Sequence, residues 1–108
     1  MLPSENRLTK KHDFEKVRSE GKYQSSNNLS VSFLNRRDGG PARFGIIVSK
    51  KISTKAHERN KVKRNLREIV RKNLGRAKSG FDFVVIAKPS IIRASSDTIT
   101  SELVRFIC

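Results

Sequence analysis

The sequence is short of acids. Ten Asp and Glu face twenty-four Lys and Arg, leaving a formal net charge of +14 and an isoelectric point near 10.8. Like charges repel in a compact state, so the imbalance points to a polyanionic partner: nucleic acid, an anionic membrane or an acidic protein. Tryptophan is absent, and six Phe supply most of the large apolar area. Hydrophobic residues make up 35% of 108 residues, enough for one small core and a single domain over 1–108. Cysteine occurs once, at Cys108, which excludes an intrachain disulfide; a reducing compartment and no disulfide-linked partner are expected. The longest apolar run, FVVIA from Phe83 to Ala87, is far short of the roughly 20 residues of a spanning helix. The opening MLPSENRLTKKHDF holds no signal-peptide core. These features predict a cytoplasmic protein with no membrane partner.

Catalytic motifs are lacking as well. His12 and His57 have no Cys, Ser or carboxylate at ligand spacing, and the acids are scattered. No Gly-rich phosphate loop with its Lys-Ser is present. No catalytic or metal-ligating residue is expected of the protein itself. If it takes part in catalysis, another component does the chemistry.

What is present is a strongly basic segment. Between Lys50 and Lys78 lie twelve Lys or Arg against Glu58 and Glu68, a net +10 of the total +14. The stretch KAHERNKVKRNLREIVRK, Lys55 to Lys72, reads as a helix. On a wheel of about 100° per residue, Val62, Leu66, Ile69 and Val70 fall in one arc and predict a face packed on a sheet. Lys63, Arg67, Asn60, Arg71 and Arg64 occupy the adjoining arc. A solvated face laced with i,i+4 ion pairs is the ordinary reading of such a row, but few acids are available to pair with it. Asn60 is a poor helix former and suits a base edge or phosphate contact. Ser49, Lys50 and Lys51 lie just before the helix, where a hydroxyl and two ammonium groups suit phosphates.

Around this helix the chain reads as α+β, in the order α-β-β-β-α-β-α. HDFEKVRSEG forms a short helix stopped at Gly21. A short strand is expected near Tyr23. LSVSFL, Leu29 to Leu34, alternates as a strand, with Leu29, Val31 and Phe33 on one face. NRRDGGPAR is a turn that predicts a hairpin into the strand RFGIIVS. FDFVVIAK is apolar enough to be central, and the strands flanking the basic helix can be parallel. Gly75 or Gly80 suits a left-handed turn after the basic helix. A last helix starts at Ser95 or Ser96, with Ile99, Leu103, Phe106 and Ile107 on one stripe. Phe14 and Phe33 are the aromatic candidates for base stacking, although Phe33 shares its face with Leu29 and Val31.

RLTKKHDFEKV, FGIIVSKKI, AHERNKVKRNLREIVR and FDFVVIAKP together resemble, nearly end to end, the protein subunit of bacterial ribonuclease P. The basic helix is the specific part. The resemblance implies an α/β sandwich of about four strands with a left-handed β-α-β crossover, where the usual preference is right-handed. It implies a non-catalytic subunit of an endoribonuclease that removes the 5′ leader from precursor tRNA. The expected partners are ribonuclease P RNA and precursor tRNA, and magnesium is held mainly by the RNA subunit and the substrate. Arg59, Asn60 and Lys61 occupy the helix signature, followed by Lys63, Arg64, Arg67 and Arg71, with Lys50 and Lys51 nearby for RNA binding. Phe14, Ser49 and Lys50 are implied in a cleft for the leader, with Phe33 taken as its second aromatic. Three positions depart from the family pattern. Lys61 stands for a second Arg, which keeps charge but loses the planar fork. Arg18 and Ser32 stand where related chains often carry Phe or Tyr. A structured-RNA binder outside ribonuclease P, a DNA-binding helix and a membrane-surface helix are the competing readings.

Overall fold

The computed structural model describes residues 2–108. Its elements run α1 (Lys11–Glu20), β1 (Lys22–Ser25), β2 (Leu29–Asn35), β3 (Arg43–Ile47), α2 (Ala56–Lys72), β4 (Phe81–Ala87) and α3 (Ser96–Ile107), with 3-10 turns at Ser4–Asn6 and Pro89–Arg93. The order is the expected one. One four-stranded sheet has the spatial order β1-β2-β4-β3.

β4 is central, as its apolar run predicts, and the hairpin between β2 and β3 does not form. β4 lies between them, antiparallel to β2 through Leu29↔Ala87 to Asn35↔Phe81 and parallel to β3 through Arg43↔Asp82 to Ile47↔Ile86. The physical reason is that NRRDGGPAR spans the width of an inserted strand. Arg36 reaches from this loop to Asp82 at 2.6 Å and to the carbonyls of Phe81 and Pro41. Gly80, at φ +76°, donates its N–H to Gly40 at 2.7 Å and turns the chain into β4. Arg43 closes on the same carboxylate, 2.7 Å from each oxygen of Asp82. Asp82 is 3% exposed, and the guanidiniums of Arg36 and Arg43 both pair with it.

The sheet has two unequal coats. On one face, Leu66, Ile69 and Val70 of α2 and Ile99, Leu103 and Ile107 of α3 pack on Leu29, Val31, Phe83 and Val85. Phe83 stacks with Phe44 at 5.1 Å and with Phe81 at 5.8 Å. The other face carries α1 alone, over Leu8, Val17 and Val84 with Phe14, Leu34, Ile47 and Ile86 at the margin. α3 is capped by Ser95, whose hydroxyl accepts the Thr98 N–H at 3.2 Å. The segment before α1 does not hang free. Leu2 is buried in the larger core, Arg7 bridges to Phe44, and the Leu8 N–H bonds the Phe44 carbonyl at 2.9 Å. It therefore covers the outer edge of β3 and prevents that edge from pairing with another chain.

Candidate nucleic-acid interface

α2 carries the densest charge, and its local sequence explains how it is displayed. Leu66, Ile69 and Val70 are buried and Val62 is half-buried, so the predicted stripe is the one against the sheet. Beside it, Asn60, Arg64 and Arg67 are exposed and Lys63 is half-buried. Among the described residues, Lys63, Arg64 and Arg67 have no acid within ion-pair distance. These cations face water uncompensated.

Three of the residues grouped with them by sequence behave differently. Arg71 is paired with Glu68, three residues back, with Nε 3.0 Å from Oε2. That hydrogen bond holds the Glu68 carboxyl below, and the Arg71 guanidinium above, its ordinary pKa. Arg59 is half-buried and donates to the Ser53 carbonyl at 2.8 Å, fastening the helix to the preceding loop. Lys61 lies on the opposite flank, with Asn65, in a groove against Ile91, Ile92 and Ile99. Asn65 there accepts from the Ser96 hydroxyl at 3.2 Å. A helix of 3.6 residues per turn cannot place 59, 61 and 64 on one narrow face.

The loop from β3 into α2 is a built turn. Ser49 accepts the Lys51 N–H on its hydroxyl at 3.3 Å and the Ile52 N–H on its carbonyl at 3.0 Å. Ile52 is buried, so Lys50 and Lys51 are turned outward and both are exposed. Ser53 bonds Glu58 at 2.5 Å, and this bond is the main reason the Glu58 carboxyl titrates below its ordinary value.

On the α1 face, Phe14 lies over Gly45. A Cβ on Gly45 would stand 2.3 Å from Cζ of the ring, so only glycine lets the ring sit against β3. Phe14 remains half-buried. Phe33 does not join it. Strand alternation sends Phe33 to the other face, where its ring lies 6.3 Å from Phe81 and 6.5 Å from Phe83. The second aromatic of this face is Tyr23, which sequence reading did not select. It is the direct cross-strand partner of Ser32, shares its face, and is 62% exposed. The Ser30 hydroxyl, then that of Ser25, and the charge of Lys88 lower the phenol's pKa. Lys88 is fixed at the end of β4 by the Ser26 carbonyl at 2.5 Å and by the Ser25 hydroxyl. KYQS contained the signal: its aromatic alternates with no apolar neighbour, so it has no core to enter.

β1, β3 and β4 all run the same way, which brings Lys88, Ser49 and Lys50 to one end of the sheet, with Tyr23 on the same face at the level of Ser32, Val84 and Gly45. α1 starts over Gly45 and ends beside Phe33, so this end is left uncovered, with Ile47 and Ile86 half-buried as its floor. The result is an apolar floor with an aromatic, hydroxyls and ammonium groups around it, a lining that suits a single nucleic-acid strand. Among the described residues no three His, Cys, Asp or Glu side chains gather as a metal site, and no helix is long and apolar enough to cross a membrane.

The model of the Ribonuclease P family matches residues 2–107. The ribonuclease P protein component of Synechocystis sp. is 37% identical over 102 residues, covering 94% of this chain and 82% of that protein. That of Pseudanabaena sp. is 42% identical over 85 residues, covering 79% and 73%. Among solved structures, the RNase P protein from Thermotoga maritima, in complex with 1-(4-fluorophenyl)-2-thiourea, superposes with a TM-score of 0.84 at 34% identity, over 94% of this chain and 96% of that one. The Staphylococcus aureus RNase P protein gives 0.80 at 30% identity, over 91% and 88%. Superposition at this level requires the β3–α2–β4 crossover to have the same hand as in those proteins. The chain belongs to the ribonuclease P protein family, the protein components of the RNA-based endoribonuclease that acts with an RNA subunit in processing the 5′ end of tRNA.

Proposed function

We propose that α2 docks this protein on ribonuclease P RNA while the open end of the α1 face holds the 5′ leader of precursor tRNA. The observation that carries the reading is the row of Lys63, Arg64 and Arg67: unpaired cations beside a stripe already committed to the core. Neutralising several phosphates from one rigid helix releases condensed counterions, the main driving force for binding RNA from a basic surface. Lys50 and Lys51, thrown outward by the Ser49 turn, extend the positive surface toward the cleft. In the cleft, Tyr23 and Phe14 offer π-faces to unpaired bases, and Ser49, Lys50 and Lys88 offer phosphate contacts. Such contacts read the strand without demanding a sequence, which suits leaders that differ between precursors.

In this reading catalytic magnesium belongs to the RNA and the substrate, and the hydrolysis to the RNA; among the described residues no three His, Cys, Asp or Glu side chains gather. The protein contributes affinity and placement. The same reading puts it in the bacterial cytoplasm, where precursor tRNA is made.

The test is a cleavage assay with a bacterial ribonuclease P RNA, a 5′-labelled precursor tRNA and low-millimolar magnesium, with protein-alone and RNA-alone controls. Cleavage at the mature 5′ end is expected to be stimulated when both components are present. No stimulation with any of several such RNAs, despite tight binding to them, would reject the subunit role in favour of general structured-RNA binding.

A further inference from the structure

The segment before α1 is anchored more firmly than edge protection alone requires. Leu2 is 3% exposed, Asn6 is buried with its amide on the Ala42 carbonyl at 2.7 Å, and Arg7 bridges to Phe44. The Arg7 side chain is exposed, but its root is fixed: Nε donates to the Leu2 carbonyl at 2.8 Å. Its terminal nitrogens have no acceptor among the described residues. Docked in this way, the segment walls one side of a groove of about 560 Å³ whose other side is α2, lined by Leu2, Arg7, Arg64, Arg67 and Glu68. Arg64 and Arg67 are three residues apart, hence neighbours on one helix face. Among the described residues Glu68 is the one acid of the lining, and Arg71 already holds it. Three guanidiniums thus border one groove with no free carboxylate among the described residues to satisfy them.

We infer that this groove is a phosphate-binding site for the RNA backbone, shared between α2 and the segment 2–7, with Arg7 as a third cation beside Arg64 and Arg67. Guanidinium forks match phosphate oxygens in pairs of hydrogen bonds, and a groove of this size admits a backbone segment rather than a folded protein element. The apolar side chain of Leu2, committed to the core, makes Arg7 a fixed contact rather than a floating one, so less rotamer entropy is lost on binding. The consequence is linkage: RNA binding stabilises the docked segment, and releasing the segment weakens RNA binding even with α2 intact. This inference rests on α2 being the RNA-binding face.

The experiment measures binding of the full chain to a bacterial ribonuclease P RNA at several salt concentrations, for Arg7→Gln, Arg7→Lys and Arg67→Gln. Arg7→Gln is expected to weaken binding roughly three- to tenfold near 0.1 M salt and to flatten the log–log salt slope by about 0.7–0.9, the loss of one phosphate contact. Arg7→Lys keeps the charge and is expected to keep the slope. Amide exchange at Leu8, whose N–H bonds Phe44, reports whether the segment stays docked. Parent-like binding in Arg7→Gln with weakened binding in Arg67→Gln overturns the shared site and leaves the α2 reading standing. Parent-like binding in both removes the α2 reading and the inference with it. Equal losses in Arg7→Gln and Arg7→Lys, with Leu8 deprotected in both, trace the effect to docking alone and overturn the phosphate contact.

Discussion

The two faces of the sheet are built to different standards. The face under α2 and α3 is a closed core: Phe83, Leu66, Leu103 and Ile107 are fully buried, and two aromatic stacks run through it. The face under α1 closes only over Leu8, Val17 and Val84, and past them the sheet lies open beside Tyr23 and Lys88. A short, strongly charged chain has apolar residues enough to seal one face. It spends them under the helix that carries the charge, which makes α2 rigid, and leaves the other face partly uncovered. Each face then suits a different RNA contact: a fixed row of cations on one, an open floor with aromatics on the other.

Several substitutions sharpen or break this contrast. Leu66→Ala removes a 0% exposed side chain from the closed face and should cost about 2–5 kcal/mol in denaturant unfolding. Val17→Ala, on the α1 face, deletes less volume beside an open margin and should cost less. Equal costs would mean the faces are packed alike. Asp82→Asn leaves Arg36 and Arg43 without their shared carboxylate and should cost about 3 kcal/mol, near the low end for a buried pair because Arg43 is partly exposed. Unfolding curves that match the parent would show that water already screens this cluster.

Function should respond in the opposite sense. Tyr23→Ala should leave stability within about 0.5 kcal/mol, as at other surface positions. It should weaken affinity for a precursor tRNA with a long leader by roughly 1–3 kcal/mol, the value of one stacked base. Tyr23→Phe should restore the affinity. If Tyr23→Ala binds long and short leaders with unchanged preference, the open end is not the leader site.

The smallest effect concerns acid. Glu102 of α3 accepts the Asn28 N–H at 2.9 Å, the Asn28 side-chain amide at 2.5 Å and the Ser26 hydroxyl, tying the closed face to the hairpin that presents Tyr23. Burial raises its pKa, but the bonds from Ser26 and Asn28 outweigh burial and the net shift is downward from 4.5. A depressed carboxyl contributes stability that is present above 4.5 and is lost as pH falls through its lower folded value. Stability should therefore fall with acid below that point, and Glu102→Gln should flatten this part of the profile. A steeper decline in the Gln variant would show that the carboxyl does not carry the effect.

Much of this was legible from residue patterns. The 3.6-residue period of Val62, Leu66, Ile69 and Val70 places the α2 stripe correctly, and the alternation of LSVSFL assigns Phe33 to the core face even though it was grouped with the cleft. β1 carries the weakest signal because all four of its residues are exposed, so nothing in the local pattern beyond the lack of apolar neighbours marks Tyr23 as a site residue. The tertiary structure gives two cations of the predicted row intramolecular partners. Counting cations on a wheel does not show that Arg59 turns back to Ser53 or that Glu68 claims Arg71.

By itself the sequence determined local structure and total charge, since both follow from near neighbours: helix and strand periods, a cap at Ser95 or Ser96, a turn at Gly75 or Gly80 and the polyanionic partner. Only the tertiary structure decided that β4 inserts between β2 and β3, that Tyr23 faces the same way as Ser32, and that Arg7 borders the same groove as Arg64 and Arg67. Each of these depends on which distant segments share a sheet edge or a face. That choice is made by burying the most apolar strand on both sides and by pairing Asp82 with two arginines far away in the chain.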